Sequence, residues 1–145
     1  MQKSAESFLR DLVAAKRPAI LVGGGAYEAR KAIMAFAVAH CLPVFRTWNA
    51  IDIATDDHLC FAGTVGTYGG AGRNFGVQNA DLLLVLGCRL SGRITGGMPE
   101  SFARGAKLYV VDVDPALLDP VNQPRKADVN VLCDAAKFVD TLWGL

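Results

Sequence analysis

Two short apolar runs, each without alternation and each ending on glycine, constrain this chain more than any other feature. Ala19-Ile20-Leu21-Val22 runs into Gly23-Gly24-Gly25, and Asp81-Leu82-Leu83-Leu84-Val85-Leu86 runs into Gly87. A strand with one wet face alternates apolar and polar residues, whereas an unbroken run implies cover on both faces. Cover on both faces means helices on each side of a parallel sheet, joined through right-handed β-α-β crossovers. The glycines then mark where each strand turns sharply, with a backbone open to close approach.

The rest of the chain reads consistently with that frame. Ser4 to Ala15 has helical spacing at Phe8, Leu9, Leu12 and Val13, with Ser4 as a candidate cap and Pro18 as the stop. Ala26 to His40 reads as the next helix and Pro43-Val44-Phe45 as the second strand. Residues 47–72 read as loop, with Phe61-Ala62 too weak to count as a strand, and Ala71 to Asn79 as a short helix. Lys107 to Val111 and Val129 to Leu132 complete a set of five strands, and Ala135 to Leu142 forms a closing helix. The expected fold class is therefore an α/β, doubly wound, three-layer parallel sheet. With 145 residues, 52% of them hydrophobic, the chain is expected to form one domain over 1–145.

Composition excludes several classes. Fifteen basic against fourteen acidic residues, with no basic stripe, argue against nucleic acid. No apolar run approaches the ~20 residues that span a bilayer, and the N-terminus lacks a signal-peptide pattern. Cys41, Cys60, Cys88 and Cys133 form no C-x-x-C pair, so no metal site is expected. They read as reduced, buried thiols of a cytoplasmic protein.

Ligands of such sheets bind beyond the carboxyl ends of the strands. Four segments converge there: Gly23-Gly24-Gly25, Arg46-Thr47-Trp48-Asn49, Gly87-Cys88-Arg89 and Asp112-Val113-Asp114. The triplet suits either an anion at a helix N-terminus or a bare tight turn. It is not the NAD fingerprint, because Glu28 stands at the third glycine position and no acidic residue ends the second strand. Arg89 and Arg93, set among glycines and hydroxyls, suit a diphosphate, or else pair with surface carboxylates. Asp112 is a candidate for ribose hydroxyls and Asp114 for a helix cap. Trp48 reads as a core or interface residue, or as a wall for a planar ligand. His40 is expected to end a helix, where its charge complements the dipole, and His58 to sit in a loop.

Arg17-Pro18-Ala19-Ile20-Leu21-Val22-Gly23-Gly24-Gly25 resembles the opening of the central domain of thiamine-diphosphate-dependent enzymes, best known from acetolactate synthases. Val77 to Gly87, Arg89, Arg93-Ile94-Thr95-Gly96 and Val111 to Pro115 are similar to further signatures of that domain, in the same order from about Arg10 onward. The resemblance implies a sheet of five to six strands with Rossmann-like, DHS-like NAD/FAD-binding topology. It implies a cofactor site at Gly23, Gly24, Gly25, Thr47, Trp48, Gly66, Thr67, Tyr68, Gly69, Gly87, Arg89, Arg93 and Asp112, with no catalytic residue. That site holds a largely structural FAD in acetolactate synthases and ADP in some acyl-CoA relatives.

The chain departs from the synthase pattern where Ser91-Gly92 replaces an acidic pair, and where Gly66-Thr67-Tyr68-Gly69 lacks a histidine. The Gly-Asp-Gly motif for magnesium and thiamine diphosphate is also missing, so those cofactors are expected only in a parent enzyme acting on 2-oxo acids. The expectation is therefore a fragment or split-gene central domain that partners flanking thiamine-diphosphate domains, and that is a monomer or weak homodimer alone. The alternatives are a stand-alone nucleotide-binding module, or an NAD-linked deacylase-like domain, which needs a catalytic histidine at the strand edge.

Overall fold

The apolar runs form the middle of a six-stranded, all-parallel sheet in the computed structural model, which describes residues 1–145. The strands are β1 (Pro18–Val22), β2 (Val44–Arg46), β3 (Phe61–Thr64), β4 (Leu82–Leu86), β5 (Lys107–Asp112) and β6 (Val129–Leu132), in the order β3-β2-β1-β4-β5-β6. The chain builds outward from β1 to one edge, then returns to lay β4 on the other side of β1, with Leu21 opposite Val85. This reversal is the topological switch point, and a crevice opens above it at the carboxyl ends of β1 and β4.

The residues of β4 show why the runs do not alternate. Leu82, Leu84 and Leu86 point into one core, and Leu83 and Val85 into the other. The first face is covered by α1 (Gln2–Ala14), α2 (Arg30–Ala39) and α6 (Ala135–Trp143), which bury Phe8, Ile33, Phe36 and Phe138 against Ile20, Val22 and Tyr109. The second face is covered by α3 (Ala71–Gln78), the one-turn helices α4 (Gly92–Thr95) and α5 (Pro115–Leu118), and a 3-10 turn at Pro99–Ser101. Val77, Ile94, Phe102 and Leu118 pack there on Leu21, Leu83 and Val110.

Polar contacts fasten α1 to the sheet. The Tyr109 hydroxyl donates to the Asp11 carboxylate and lies 2.9 Å from Ser7 Oγ, while Lys107 Nζ sits 2.8 Å from Asp11. The Asp81 carboxylate accepts from the N–H groups of Lys16 and Arg17, both at 2.8 Å. Burial pushes the Asp11 carboxyl up, but its bonds from Lys107 and Tyr109 outweigh that and hold it below the ordinary carboxylate value. Asp81 is likewise raised by burial and lowered further by its two backbone donors and the Arg17 charge, ending below its usual value.

Several expectations need correction. Met1, not Ser4, precedes the first helical residue, and the Ser4 N–H donates to Met1 O at 3.0 Å. The single helix expected over 26–40 is a 3-10 segment, Gly24–Ala29, followed by α2, because the Ala26 N–H closes tightly on Gly23 O. Phe61-Ala62 does belong to a strand: β3 exists because it lies beside β2 as an edge, Val44 opposite Phe61, through a register shift. The cysteines are not uniformly buried. Cys88 is buried, Cys60 and Cys133 half-buried, and Cys41 exposed in the turn after α2. No helix is long and apolar enough to cross a membrane.

Candidate functional site

The crevice at the switch point is a cleft of about 980 Å³. Its floor is made by two turns pressed together. The Gly23 N–H donates to Leu86 O and the Gly25 N–H to Gly87 O, both at 3.0 Å. A Cβ on Gly23 would meet Gly87 O at 2.3 Å, and one on Gly87, which has φ +54°, would meet the Ala26 nitrogen at 2.4 Å. Backbone packing between the turns therefore requires these glycines. Gly24 differs, since its N–H has no acceptor within the chain and opens the helical stretch that continues into α2.

The walls carry the chemistry. Arg89 and Arg93 both line the cleft, both are exposed, and neither is within ion-pair distance of a carboxylate. Across from them Asp112, at the end of β5, is 9% exposed; its Oδ1 accepts from the Asp114 N–H at 3.0 Å and its Oδ2 has no partner in the chain. Asp114 caps α5 by accepting from the Ala116 N–H at 2.9 Å. Thr47 is buried, and its hydroxyl donates to Asn49 Oδ1 at 2.6 Å. Trp48 is 54% exposed at the rim, which rules out the core alternative and leaves those of an interface or a wall for a planar ligand. Burial, with Asp112 nearby, pushes the Cys88 thiol up to about 12, so it stays protonated and unreactive at neutral pH.

Nine of the expected site residues thus meet in one cleft: Gly23, Gly24, Gly25, Thr47, Trp48, Gly87, Arg89, Arg93 and Asp112. The other four lie beside it. Gly66 and Thr67 line a neighbouring cleft of about 370 Å³ that shares Ile94 with the first, Tyr68 is exposed, and Gly69 packs on the backbone of Thr64 and Val65. Arg46, from the converging second-strand segment, turns away from the cleft. It is buried over the Phe61 ring and bonds Thr64, Ala54 and Asp56, so it holds the loop after β2 together. Sequence reasoning missed Leu117 as a wall residue, although Asp114-Pro115 announces the helix that carries it. Neither histidine lines the cleft: His40 ends α2 with its ring 4.3 Å from that of Phe36, and His58 Nδ1 accepts from the Cys60 N–H.

The donor set suits a phosphorylated, hydroxyl-bearing ligand. Two unpaired guanidiniums and a free helix-terminal N–H are anion donors, and a carboxylate oxygen stands ready to accept from hydroxyls. Strand order, switch-point crevice and glycine turns together define a doubly wound, three-layer α/β domain of Rossmann-like type. Its family is narrower. The family model described as thiamine pyrophosphate enzyme, central domain, matches residues 6–142, and the chain belongs to that family.

Its relatives include the acetolactate synthase isozyme 1 large subunit of Escherichia coli, 35% identical over 127 residues, covering 85% of this chain and 22% of that protein. A probable acetolactate synthase 2, chloroplastic, of Oryza sativa is 39% identical over 112 residues, 77% of this chain and 17% of that protein. A probable acetolactate synthase large subunit of Methanococcus aeolicus is 33% identical over 126 residues, 86% of this chain and 20% of that protein. The chain spans about a fifth of the length of these relatives.

Proposed function

We propose that this domain holds the diphosphate of an adenine nucleotide, either ADP or the ADP half of FAD, in the switch-point cleft, and that it serves a larger acetolactate-synthase-like enzyme as a non-catalytic central domain. The observation that carries this is the pair Arg89 and Arg93, which line the cleft with no carboxylate within ion-pair distance of either. In this reading the two guanidiniums and the Gly24 N–H bind phosphate oxygens, Asp112 Oδ2 accepts from ribose hydroxyls, and Trp48 covers a planar ring. Ser91 and Gly92 add no negative charge beside Arg93, which favours a strongly anionic ligand. The parent enzyme would act on 2-oxo acids in the cytoplasm, with thiamine diphosphate and magnesium held by flanking domains. Alone, the domain would be a monomer or weak dimer.

A second reading, a purely structural domain, is favoured by the glycine turns, because backbone packing alone accounts for Gly23, Gly25 and Gly87. Calorimetric titration with ADP, FAD, NAD and adenosine separates the two. The nucleotide reading expects heat with ADP or FAD, weaker binding of NAD and none of adenosine. At a hundredfold excess over Kd the ligand would add about 2.7 kcal/mol to stability. Absence of heat and of any melting shift with all four ligands leaves only the structural role.

A further inference from the structure

The segment Gly66-Thr67-Tyr68-Gly69 stands outside the main cleft, yet it is bonded to one of the cleft's two arginines. The Arg93 carbonyl accepts from the Thr67 N–H at 2.8 Å and lies 3.1 Å from the Thr67 hydroxyl. Gly66 has φ +104°, and a Cβ there would come within 2.7 Å of the same carbonyl oxygen, so the contact is backbone on backbone. Gly66 is itself gripped on both sides by Asn74 of α3: Asn74 Oδ1 accepts from the Gly66 N–H at 2.9 Å, and Asn74 Nδ2 donates to Gly66 O at 3.1 Å. A chain of bonds thus runs from α3 through Asn74, Gly66 and Thr67 to Arg93.

This connection matters because α4, which carries Arg93, has four residues. A single helical turn fixes several dihedrals for very few internal bonds and does not hold itself. Its bonds close locally, Ile94 and Thr95 N–H on Ser91 O and Gly96 N–H on Gly92 O, and Ile94 is the side chain that anchors it in the core. The bonds from Thr67 are what tie its peptide plane at Arg93 to the rest of the domain.

We infer that Asn74 and Thr67 are positioning residues that preset Arg93 for an anionic ligand without touching that ligand, an inference that rests on the nucleotide reading of the cleft. In the variant Asn74→Ala the grip on Gly66 is lost, α4 is freed to move, and Arg93 must be ordered when the anion binds, at a cost in affinity. The test is a double-mutant cycle read by calorimetry with ADP, using wild type, Asn74→Ala, Arg93→Ala and the double variant, alongside hydrogen exchange of residues 91–96 in the ligand-free proteins.

Asn74→Ala is expected to weaken ADP binding roughly three- to tenfold in the wild-type background, part of what a charged hydrogen bond contributes, and to have no effect once Arg93 is alanine. Exchange in 91–96 is expected to quicken while melting changes little, because Asn74 is only half-buried. Thr67→Val, which keeps the N–H and removes the hydroxyl, should show a weaker version of the same pattern. Equal losses in both arginine backgrounds, or unchanged exchange over 91–96, would overturn the inference while leaving the cleft reading intact. Failure of the wild-type protein to bind either ADP or FAD, the cycle being run with whichever of them binds, would remove both.

Discussion

The two faces of the sheet bury the same kind of side chains under very different covers. On the first face the helices have thirteen, ten and nine residues; on the second they have eight, four and four. Long helices with one apolar stripe are held by burial along their whole length. One-turn helices bury one or two side chains each and depend on caps and loop bonds, as with Asp114 for α5 and Thr67 for α4. The cleft takes part of its wall from α4 and α5, on the weakly covered side. Stability and ligand contact are thus divided between the faces, and the division can be attacked from either side.

The largest effect is expected on the first face. Phe138 is fully buried at the centre of α6, and Phe138→Ala should cost about 3–5 kcal/mol in denaturant unfolding, with ligand affinity of the folded fraction unchanged. Next is Tyr109→Phe, which removes the hydroxyl shared with Asp11 and Ser7 and should cost roughly 1–2 kcal/mol. If either change altered the cleft more than the fold, the division between faces would be wrong.

A smaller, graded effect is expected from acid. Asp11 and Asp81 titrate below their ordinary value of 3.8, so the stability they confer is complete above that pH and is lost as pH falls through their lower folded values. Both fasten α1 or the strand entry that follows it. Hydrogen exchange in α1 should therefore rise below about pH 4 before the centre of the sheet opens. Uniform loss across the molecule would contradict this.

How much of this was legible in the sequence differs between the faces in the same way. Unbroken runs such as Leu82 to Leu86 announce a strand covered on both sides, and Phe8, Phe36 and Phe138 lie on helical spacings long enough to recognise. The edge strand β3 was not legible, because Ala62 and Gly63 have little strand preference and take that form only beside β2. At the site, the glycine turns and Arg89, Arg93 and Asp112 were legible because the fold type fixes where strand ends converge. The support given by Asn74 and Thr67 was not, since it depends on the contact between Thr67 and Arg93, 26 residues apart in the chain, that no local pattern encodes. Arg46 illustrates the same limit, for only its burial and loop bonds show that it holds the loop after β2 and does not line the cleft.

On the nucleotide reading, Arg89 and Arg93 are left unpaired for the sake of an anion. Both side chains are exposed, so the variant Arg89→Ala/Arg93→Ala should unfold within about 0.5 kcal/mol of the wild type. Titrated with ADP in the same buffer, it should bind roughly a hundredfold or more weakly, the loss expected from two charge-assisted contacts. An affinity for ADP equal to that of the wild-type protein would show that the cleft does not use these arginines, and the account would fail.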